Sequence, residues 1–474
     1  MASPAAVRTA IEQQAVLKTG ALLPLLPPKR ISRPLPPLPS RSPSPPIHPG
    51  WTRDTYTLPA AFPRAYKGST RKPGVPRAPF PPPDEKGRIN PKATFEALVE
   101  PQVEGFLKAV NVGDEKELDE QEQLLVVVNR YRPQRKREEK GLTLVFSHAN
   151  GFYKEVWEPT LSSLLQQLEK DDRSLPVEEI WALDCFNQGE AGILNDNVLG
   201  DVFNWEDHGR DLLNFVISYI DSPTLASSTS SSTTATLSPA SNVPLSLLSL
   251  DTSSPLPGPS PPTARTYHDR LIVGIGHSLG GGATAYAATA LPSLFSSVVL
   301  VDPVLPKPDG PLRPMEKLTT GALIRKEKWT SRKEAMEGFS KKPFFTAWDK
   351  RILDGYVEFG LKDVESGAAL TCTARNEALT FCDPMAVAAR RACDRLKTLP
   401  RALPVHFLMA DAHRSVLAED LIDHLVNEAV PHASLSRVKD AGHLLVHEKP
   451  DEAGRLIAAF LQQTYPRMEG KAKL

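Results

Sequence analysis

Short apolar runs alternate with stretches of helical periodicity along most of the chain. The apolar runs predict strands at 124–131, 142–147, 179–184, 270–274, 297–301 and 405–409. Apolar residues recur with a helical period at 157–168, 205–219, 281–290 and 451–463. Strands that are apolar on both faces are typical of a sheet covered by helices on both sides. The repeated order of strand and helix therefore predicts an α/β fold with a mostly parallel sheet.

Three segments depart from this alternation. Residues 1–50 are rich in proline, which lacks a backbone donor for helices and ladders, so we expect them to be disordered. Residues 221–265 consist largely of Ser, Thr and Pro, and too few large apolar side chains are present to offset the entropy of ordering. Residues 305–400 are charged and helix-prone, and they predict an inserted helical cap. The rest of the chain is the first part of the α/β core at 51–304, which contains the 221–265 insertion, the last part of that core at 401–466, and a C-terminal targeting tail at 467–474.

Composition and charge exclude several classes of function. Lys plus Arg and Asp plus Glu both total 56, so no net field favours a nucleic acid partner. No apolar run approaches the roughly 18 residues that a transmembrane helix needs. The four cysteines contain no C-x-x-C pair and are expected to be reduced thiols.

Motifs for cofactors and metals are incomplete. The sequence GIG at 274–276 begins like a dinucleotide-binding G-x-G-x-x-G motif, but Leu279 stands where the third glycine belongs. His447 and Glu448 begin an H-E-x-x-H pattern that lacks its second histidine. We therefore expect neither a cofactor nor a metal.

The motif GHSLG at 276–280 predicts a nucleophile at Ser278. It follows the predicted strand at 270–274 and precedes the predicted helix at 281–290, which is the context of a nucleophile elbow. Small residues at 276 and 280 allow the tight turn, and the positive end of the following helix favours negative charge at the reacting centre.

Backbone donors for an oxyanion are predicted at two places. The strand at 142–147 ends in the sequence HANGF at 148–152, where this type of site has a loop that provides one donor. The second donor comes from the residue after the nucleophile. The N–H groups of Asn150 and Leu279 are therefore the candidates.

A serine nucleophile requires a base, and a base requires an orienting acid. His443, in the sequence DAGHL before the final helix, is the candidate base, and His447 is its competitor. Asp302 follows the strand at 297–301 and is the favoured acid. Asp411, which follows the strand at 405–409, is the alternative, although a G-x-x-D loop threaded there places His413 at the position of the acid.

From about residue 51 to 463, the sequence resembles a fungal group of α/β-hydrolases that includes a yeast peroxisomal lipase and toxin-biosynthesis esterases. The shared phrases are HANGFYKEVWEP at 148–159, GIGHSLGG at 274–281, KWTSRKEA at 328–335 and FFTAWDKRILDGYVEFGLKD at 344–363. The resemblance implies an α/β-hydrolase fold with a cap-covered pocket, hydrolysis of a lipid or other acyl ester, and motif positions occupied by Ser278 and His443.

These observations leave three functional hypotheses. The first is a carboxylesterase or lipase that cleaves a small acyl ester through an acyl-enzyme on Ser278. The second is an acyl-CoA thioesterase or a hydrolase that tailors a secondary metabolite with the same residues. The third is a noncatalytic binding protein whose proline-rich segments are ligands for SH3-like domains.

The sequence ends in Ala472, Lys473 and Leu474, a variant of the S-K-L signal that an import receptor reads at a free C-terminus. It predicts the peroxisomal import receptor as a partner and the peroxisomal matrix as the location.

Overall fold

A computed structural model describes residues 23–41, 45–82, 85, 89–107, 110–134, 141–170, 175–220, 235–236, 270–308, 315–383 and 387–465. The strands are β1 Trp51–Pro59, β2 Leu125–Pro133, β3 Leu142–Ser147, β4 Val177–Leu183, β5 Ala235–Thr236, β6 Leu271–His277, β7 Ser297–Val301, β8 Lys328–Trp329, β9 Leu361–Val364, β10 Gly367–Leu370, β11 Val405–Met409 and β12 Ala433–Arg437.

The α-helices are α1 Pro91–Leu107, α2 Glu115–Glu120, α3 Glu158–Leu168, α4 Gly189–Asn195, α5 Trp205–Ser218, α6 Leu279–Ala290, α7 Glu316–Leu323, α8 Arg332–Phe339, α9 Pro343–Thr346, α10 Lys350–Phe359, α11 Ala374–Cys382, α12 Val387–Arg395, α13 Glu419–His424, α14 Leu445–Glu448 and α15 Pro450–Thr464. Short 3₁₀ turns occur at Lys67–Ser69, Lys154–Trp157, Pro292–Leu294 and Leu396–Thr398, and a π-helical turn occurs at Leu425–Ala429.

The main sheet has the strand order β12-β11-β7-β6-β3-β4-β2-β1-β5. The six strands from β12 to β4 are parallel, and β2 is antiparallel to both β4 and β1. The expected mostly parallel sheet is therefore confirmed. The sequence did not predict β12, since it lies at the sheet edge, carries only Ala433 and Leu435 as apolar residues and has no buried residue.

Apolar side chains of the central strands fill two cores, one on each face of the sheet. In β3, Val145 packs into the core beneath α5 and α6, while its neighbour Phe146 packs into the core beneath α3 and α15. Consecutive side chains of a strand point to opposite faces, so a strand covered on both sides is a nearly continuous apolar run. The expectation of helices on both faces is confirmed.

The segment expected to form a helical cap also contains strands. The segment contains helices α7 to α11 and a three-stranded antiparallel sheet of order β8-β10-β9. These strands have two to four residues each, too few for a visible alternation in the sequence. Helix α12, within the expected 305–400 segment, packs on α5 and α6 and therefore belongs to the core layer.

The expected disorder of 1–50 is wrong for residues 23–41, which we call the N-terminal arm. Leu25 is buried, and the Leu26 N–H donates to the Phe62 carbonyl at 2.8 Å. Three more apolar side chains of the arm pack against a cluster of β2 and α4: Ile31, Leu35 and Leu38. An extended proline-rich chain can bury alternate apolar side chains without a ladder of backbone hydrogen bonds, and this explains the difference.

Several predictions concern residues that the structure does not describe. Residues 1–22, the tail 467–474 and most of the 221–265 insertion lie outside the described residues. Within the insertion, β5 pairs with β1. Among the described residues, no helix combines the length and apolar character that a membrane-spanning segment needs.

Candidate active site

Ser278 lies at a sharp turn between β6 and α6. Its backbone has φ 56° and ψ −114°, a conformation that is costly for a residue with a side chain. The turn is held because Ser278 N–H donates to Val301 O at 3.0 Å, and Ser278 O accepts from Gly282 N–H and Val304 N–H, each at 3.0 Å.

The two glycines of the motif are required by close approach of the backbone. A Cβ atom on Gly276 would lie 2.2 Å from Gly280 O, and one on Gly280 would lie 2.3 Å from Ser147 O. Both distances are too short for any larger residue. The turn is therefore pressed against the end of β3.

His443 lies in the loop between β12 and α14 and contacts both other members of the expected set. Its Nε2 atom is 2.9 Å from Ser278 Oγ, and its Nδ1 atom is 2.5 Å from Asp302 Oδ2. This arrangement fits Nδ1–H donating to the carboxylate while Nε2 accepts from the serine hydroxyl. The structure thus brings Ser278, His443 and Asp302 into one hydrogen-bonded chain.

Asp302 is fully buried at the end of β7, with φ 35°. Ser415 Oγ donates to its Oδ1 atom at 2.5 Å, and Val416 N–H donates to its Oδ2 atom at 3.1 Å. Burial alone would raise the pKa of Asp302, but the hydrogen bonds from His443, Ser415 and Val416 outweigh it and hold the pKa below its ordinary value. Asp302 is therefore ionised at neutral pH.

The alternative acid, Asp411, and the alternative base, His447, are not part of this hydrogen-bonded chain. The Asp411 carboxylate accepts hydrogen bonds from the N–H groups of Ala412 at 2.8 Å and Asp440 at 2.9 Å, so it links the loop after β11 to the loop that carries His443. His447 is fully buried, and its ring centroid is 4.1 Å from that of Phe152. Burial, followed by the neighbouring histidines, lowers the pKa of His447 far below its ordinary value, so the ring is neutral.

His277, inside the motif, supports the backbone of His443. Its Nε2 atom is 2.8 Å from His443 O, so Nε2 carries the hydrogen and donates it. Burial, together with the nearby His443, lowers the pKa of His277 to about 3. The ring remains neutral, and the contact persists across the physiological pH range.

The loop at 148–152 lies beside the start of α6. A Cβ atom on Gly280 would lie 2.7 Å from His148 O, so the loop that carries Asn150 is adjacent to Gly280, the residue that follows Leu279. Gly151 has φ 85° and turns the chain sharply. The N–H groups of Asn150 and Leu279 are on neighbouring segments of this edge and remain the expected oxyanion donors.

The cap covers the site closely. Trp348 and Tyr356 of the cap have ring centroids 5.6 and 6.1 Å from that of Phe152 in the loop. Ser278 is only 7 % exposed, while the His443 side chain is 32 % exposed. Among the described residues, no group of three or more His, Cys, Asp or Glu side chains is arranged to hold a metal ion.

Sequence reasoning missed the residues that hold the site in place. Ser415 and Val416 bind Asp302, and Gln188 binds the loop of Asn150. Gln188 lies shortly after the end of β4, and the carboxyl ends of parallel strands meet at the edge of the sheet where sites form. The position of Gln188 after β4 could have indicated a site residue in the sequence, although position alone does not identify the residue type.

Comparison with known proteins identifies the family and the fold. The family model described as "Alpha/beta hydrolase family" matches residues 144–455. The type I acyl-CoA thioesterase mpaH of Penicillium brevicompactum is 25% identical over 252 residues, which are 52% of this chain and 46% of that protein. The peroxisomal membrane protein LPX1 of Saccharomyces cerevisiae is 25% identical over 241 residues, which are 48% of this chain and 51% of that protein.

These alignments span about half the length of the curated relatives. Among solved structures, the peroxisomal alpha-beta-hydrolase Lpx1 from Saccharomyces cerevisiae superimposes with a TM-score of 0.60 and 18% sequence identity. The match covers 90% of this chain and 94% of that one, and it shows that the two share a fold. Since the family model covers well over half of the sequence, this chain belongs to the alpha/beta hydrolase family.

Proposed function

We propose that this protein is a serine hydrolase that cleaves an acyl ester through a covalent acyl-enzyme on Ser278. The observation that carries the proposal is the continuous chain from Ser278 Oγ through His443 to the buried carboxylate of Asp302. A serine hydroxyl is a weak nucleophile, and a base within hydrogen-bond reach activates it. A noncatalytic binding protein has no need of a strained serine with such a base.

Each residue has a defined role in the proposed reaction. Ser278 Oγ attacks the carbonyl carbon while its proton passes to His443 Nε2, and Asp302 stabilises the resulting imidazolium. The oxyanion accepts hydrogen bonds from the N–H groups of Asn150 and Leu279. The tetrahedral intermediate then collapses, the leaving group takes the proton from His443, and the acyl group stays on Ser278.

Deacylation uses the same groups in reverse. Water attacks the acyl carbon while its proton passes to His443 Nε2, and a second oxyanion forms in the same hole. Collapse returns the proton to Ser278 Oγ and releases the carboxylic acid. No redox partner is required.

A thioester is the second candidate substrate, because the relative mpaH is named an acyl-CoA thioesterase. Both substrates produce the same acyl-enzyme and differ only in the leaving group, an alcohol or a thiol. A carboxylesterase or lipase should turn over simple acyl esters faster than acyl-CoA, and a thioesterase should show the reverse. Tailoring of a secondary metabolite is the third possibility within this chemistry.

The proposal includes a location in the peroxisome. The relative LPX1 is named as a peroxisomal protein, and the printed sequence of this chain ends in Ala472, Lys473 and Leu474. These three residues, which lie outside the described residues, are proposed to bind the import receptor.

Substitution of the nucleophile tests the function. Ser278→Ala should lower ester and thioester hydrolysis by several orders of magnitude and abolish covalent labelling by a fluorophosphonate probe. Ser340→Ala, at an exposed position of the cap, is the control and should be labelled like the wild type. Near wild-type turnover by purified Ser278→Ala protein would contradict the acyl-enzyme.

A further inference from the structure

A buried side-chain amide lies behind the loop that carries Asn150. Gln188 is fully buried at the start of α4. Its Oε1 atom accepts the Gly151 N–H at 2.8 Å, and its Nε2 atom donates to Asn150 Oδ1 at 2.6 Å. One planar amide therefore binds two consecutive residues of the loop.

The orientation of this amide follows from its partners. The Gly151 N–H is a donor, so the atom that faces it must be the carbonyl oxygen of Gln188. The NH₂ group consequently faces Asn150 Oδ1, and Asn150 Nδ2 is left to donate to Glu377 O at 3.2 Å. Every donor in this chain has an acceptor, which leaves a single consistent arrangement.

Gln188 is itself held firmly. Its N–H donates to Cys185 O at 2.8 Å, and its carbonyl accepts the Gly192 N–H at 2.8 Å. The adjacent Asn187 exchanges hydrogen bonds with Asn376 of α11: Asn187 Nδ2 donates to Asn376 O at 3.2 Å, and Asn376 Nδ2 donates to Asn187 O at 3.0 Å. The amide of Gln188 is thus anchored to both the core and the cap.

These contacts determine which backbone donor is available for the reaction. The Gly151 N–H is occupied by Gln188 and cannot serve an oxyanion. The Asn150 side chain is bound at both of its polar atoms, so the backbone of residue 150 has little freedom to rotate. An oxyanion hole lowers the barrier because its donors are oriented before the charge develops.

From this arrangement we infer that Gln188 is a positioning residue: by binding the Asn150 side chain and the Gly151 N–H, it holds the backbone of residue 150 so that the Asn150 N–H points to the oxyanion. The inference rests on the proposed function, since it assigns a role within that reaction. Gln188 touches neither the substrate nor the reacting atoms and acts only through the loop. Its loss should therefore weaken stabilisation of the transition state more than binding of the ground state.

Gln188→Met tests this role, because methionine has a similar length but neither a donor nor a matching acceptor. We expect kcat to fall roughly 10- to 100-fold, while KM changes less than 3-fold. This loss does not exceed the loss seen when a whole oxyanion donor is removed. A trifluoromethyl ketone inhibitor, whose adduct carries an oxyanion, should lose affinity by about the same factor as kcat.

Gln102→Met is a matched control. Gln102 is also fully buried, accepts the Phe203 N–H at 3.1 Å and donates to Leu379 O at 3.3 Å, but it binds no residue of the loop at 148–152. Its substitution should lower thermal stability to a similar degree while kcat stays near that of the wild type. The comparison separates loss of a buried amide from loss of the loop contact.

Three results would overturn the inference: an unchanged kcat in folded Gln188→Met protein, an equal loss of kcat in Gln102→Met, or a rise in KM at constant kcat. Failure of the proposed function has a different signature, because Ser278→Ala would then keep its activity. With Ser278→Ala inactive and Gln188→Met fully active, only the positioning role is wrong.

Discussion

Asp302 shows how much of a site can depend on one carboxylate. It is the fully buried member of the Ser278, His443 and Asp302 chain, and Ser415 and Val416 hold its two oxygens in place. Since hydrogen bonds keep its pKa below the ordinary value, the carboxylate is charged at neutral pH, as the proposed reaction through a His443 imidazolium requires. A neutral amide of the same shape would lack that charge and would favour the wrong tautomer of His443.

Asp302→Asn should therefore lower kcat by roughly 10³- to 10⁴-fold, the scale found when the acid of a serine triad is neutralised. Asp411→Asn is the comparison: the Asp411 carboxylate accepts from the N–H groups of Ala412 and of Asp440 in the His443 loop but is not hydrogen-bonded to His443, so its neutralisation should lower kcat far less than Asp302→Asn. Steady-state kinetics on one ester substrate measure both variants. The opposite ranking would transfer the role of the acid to Asp411.

At the scale of elements, the N-terminal arm joins the core to the cap. Its residue Arg41 donates to the carbonyls of Leu361 at 3.0 Å and Phe359 at 3.2 Å, and it also binds Glu358 O, at the end of α10. The last carbonyls of a helix have no partner within the helix, and a cation placed there satisfies them and complements the helix dipole. The Nε atom of Arg41 lies 3.5 Å from a carboxylate oxygen of Glu190 in α4 of the core.

Arg41→Ala should destabilise the cap by about 1–3 kcal/mol, the usual contribution of hydrogen bonds from a charged group. Faster amide hydrogen exchange in α10 and a lower thermal midpoint would show this. Arg30→Ala is the control, since Arg30 is exposed and makes no hydrogen bond or ion pair with the described part of the chain. If exchange in α10 were the same in both variants, the arm would not restrain the cap.

At the scale of the whole molecule, the cap lies over a nearly buried nucleophile. Ser278 is 7 % exposed, and the aromatic side chains of Trp348 and Tyr356 pack over the loop that contains Phe152. In the proposed reaction, this enclosure would limit the water around the oxyanion and strengthen its interaction with the proposed donors. The proposed location in the peroxisome depends on the final three residues of the sequence and not on this site.

Deletion of Ala472, Lys473 and Leu474 should leave hydrolysis unchanged and move the protein from peroxisomes to the cytosol, because the receptor reads these residues at a free C-terminus. A fluorescent reporter on the N-terminal side, imaged beside a peroxisomal marker, provides the measurement. Lys473→Glu should have the same effect as the deletion without changing the length of the chain. A diffuse full-length fusion would contradict the proposed address but would not affect the hydrolase.

The sequence alone determined the features that depend on neighbouring residues. Strands covered on both faces, such as β3 and β7, are continuous apolar runs, and the GHSLG turn at 276–280 is a local steric requirement. Ser278, Asp302 and His443 were named from such local contexts, and the structure brings them together, while their catalytic roles stay predictions.

Tertiary structure decided what depends on contacts between distant segments. The strands before Asp302, Asp411 and His443 all end at the same edge of the sheet, and only the packed loops there direct Asp302 to His443 and Asp411 to the N–H groups of Ala412 and Asp440. Gln188 meets Asn150 across 38 residues of sequence. The proline-rich arm packs because apolar surface of β2 and α4 is available to it. The pattern of apolar and polar residues predicts which residues are buried. It does not predict which two buried segments contact each other, because that depends on the packing of the whole chain.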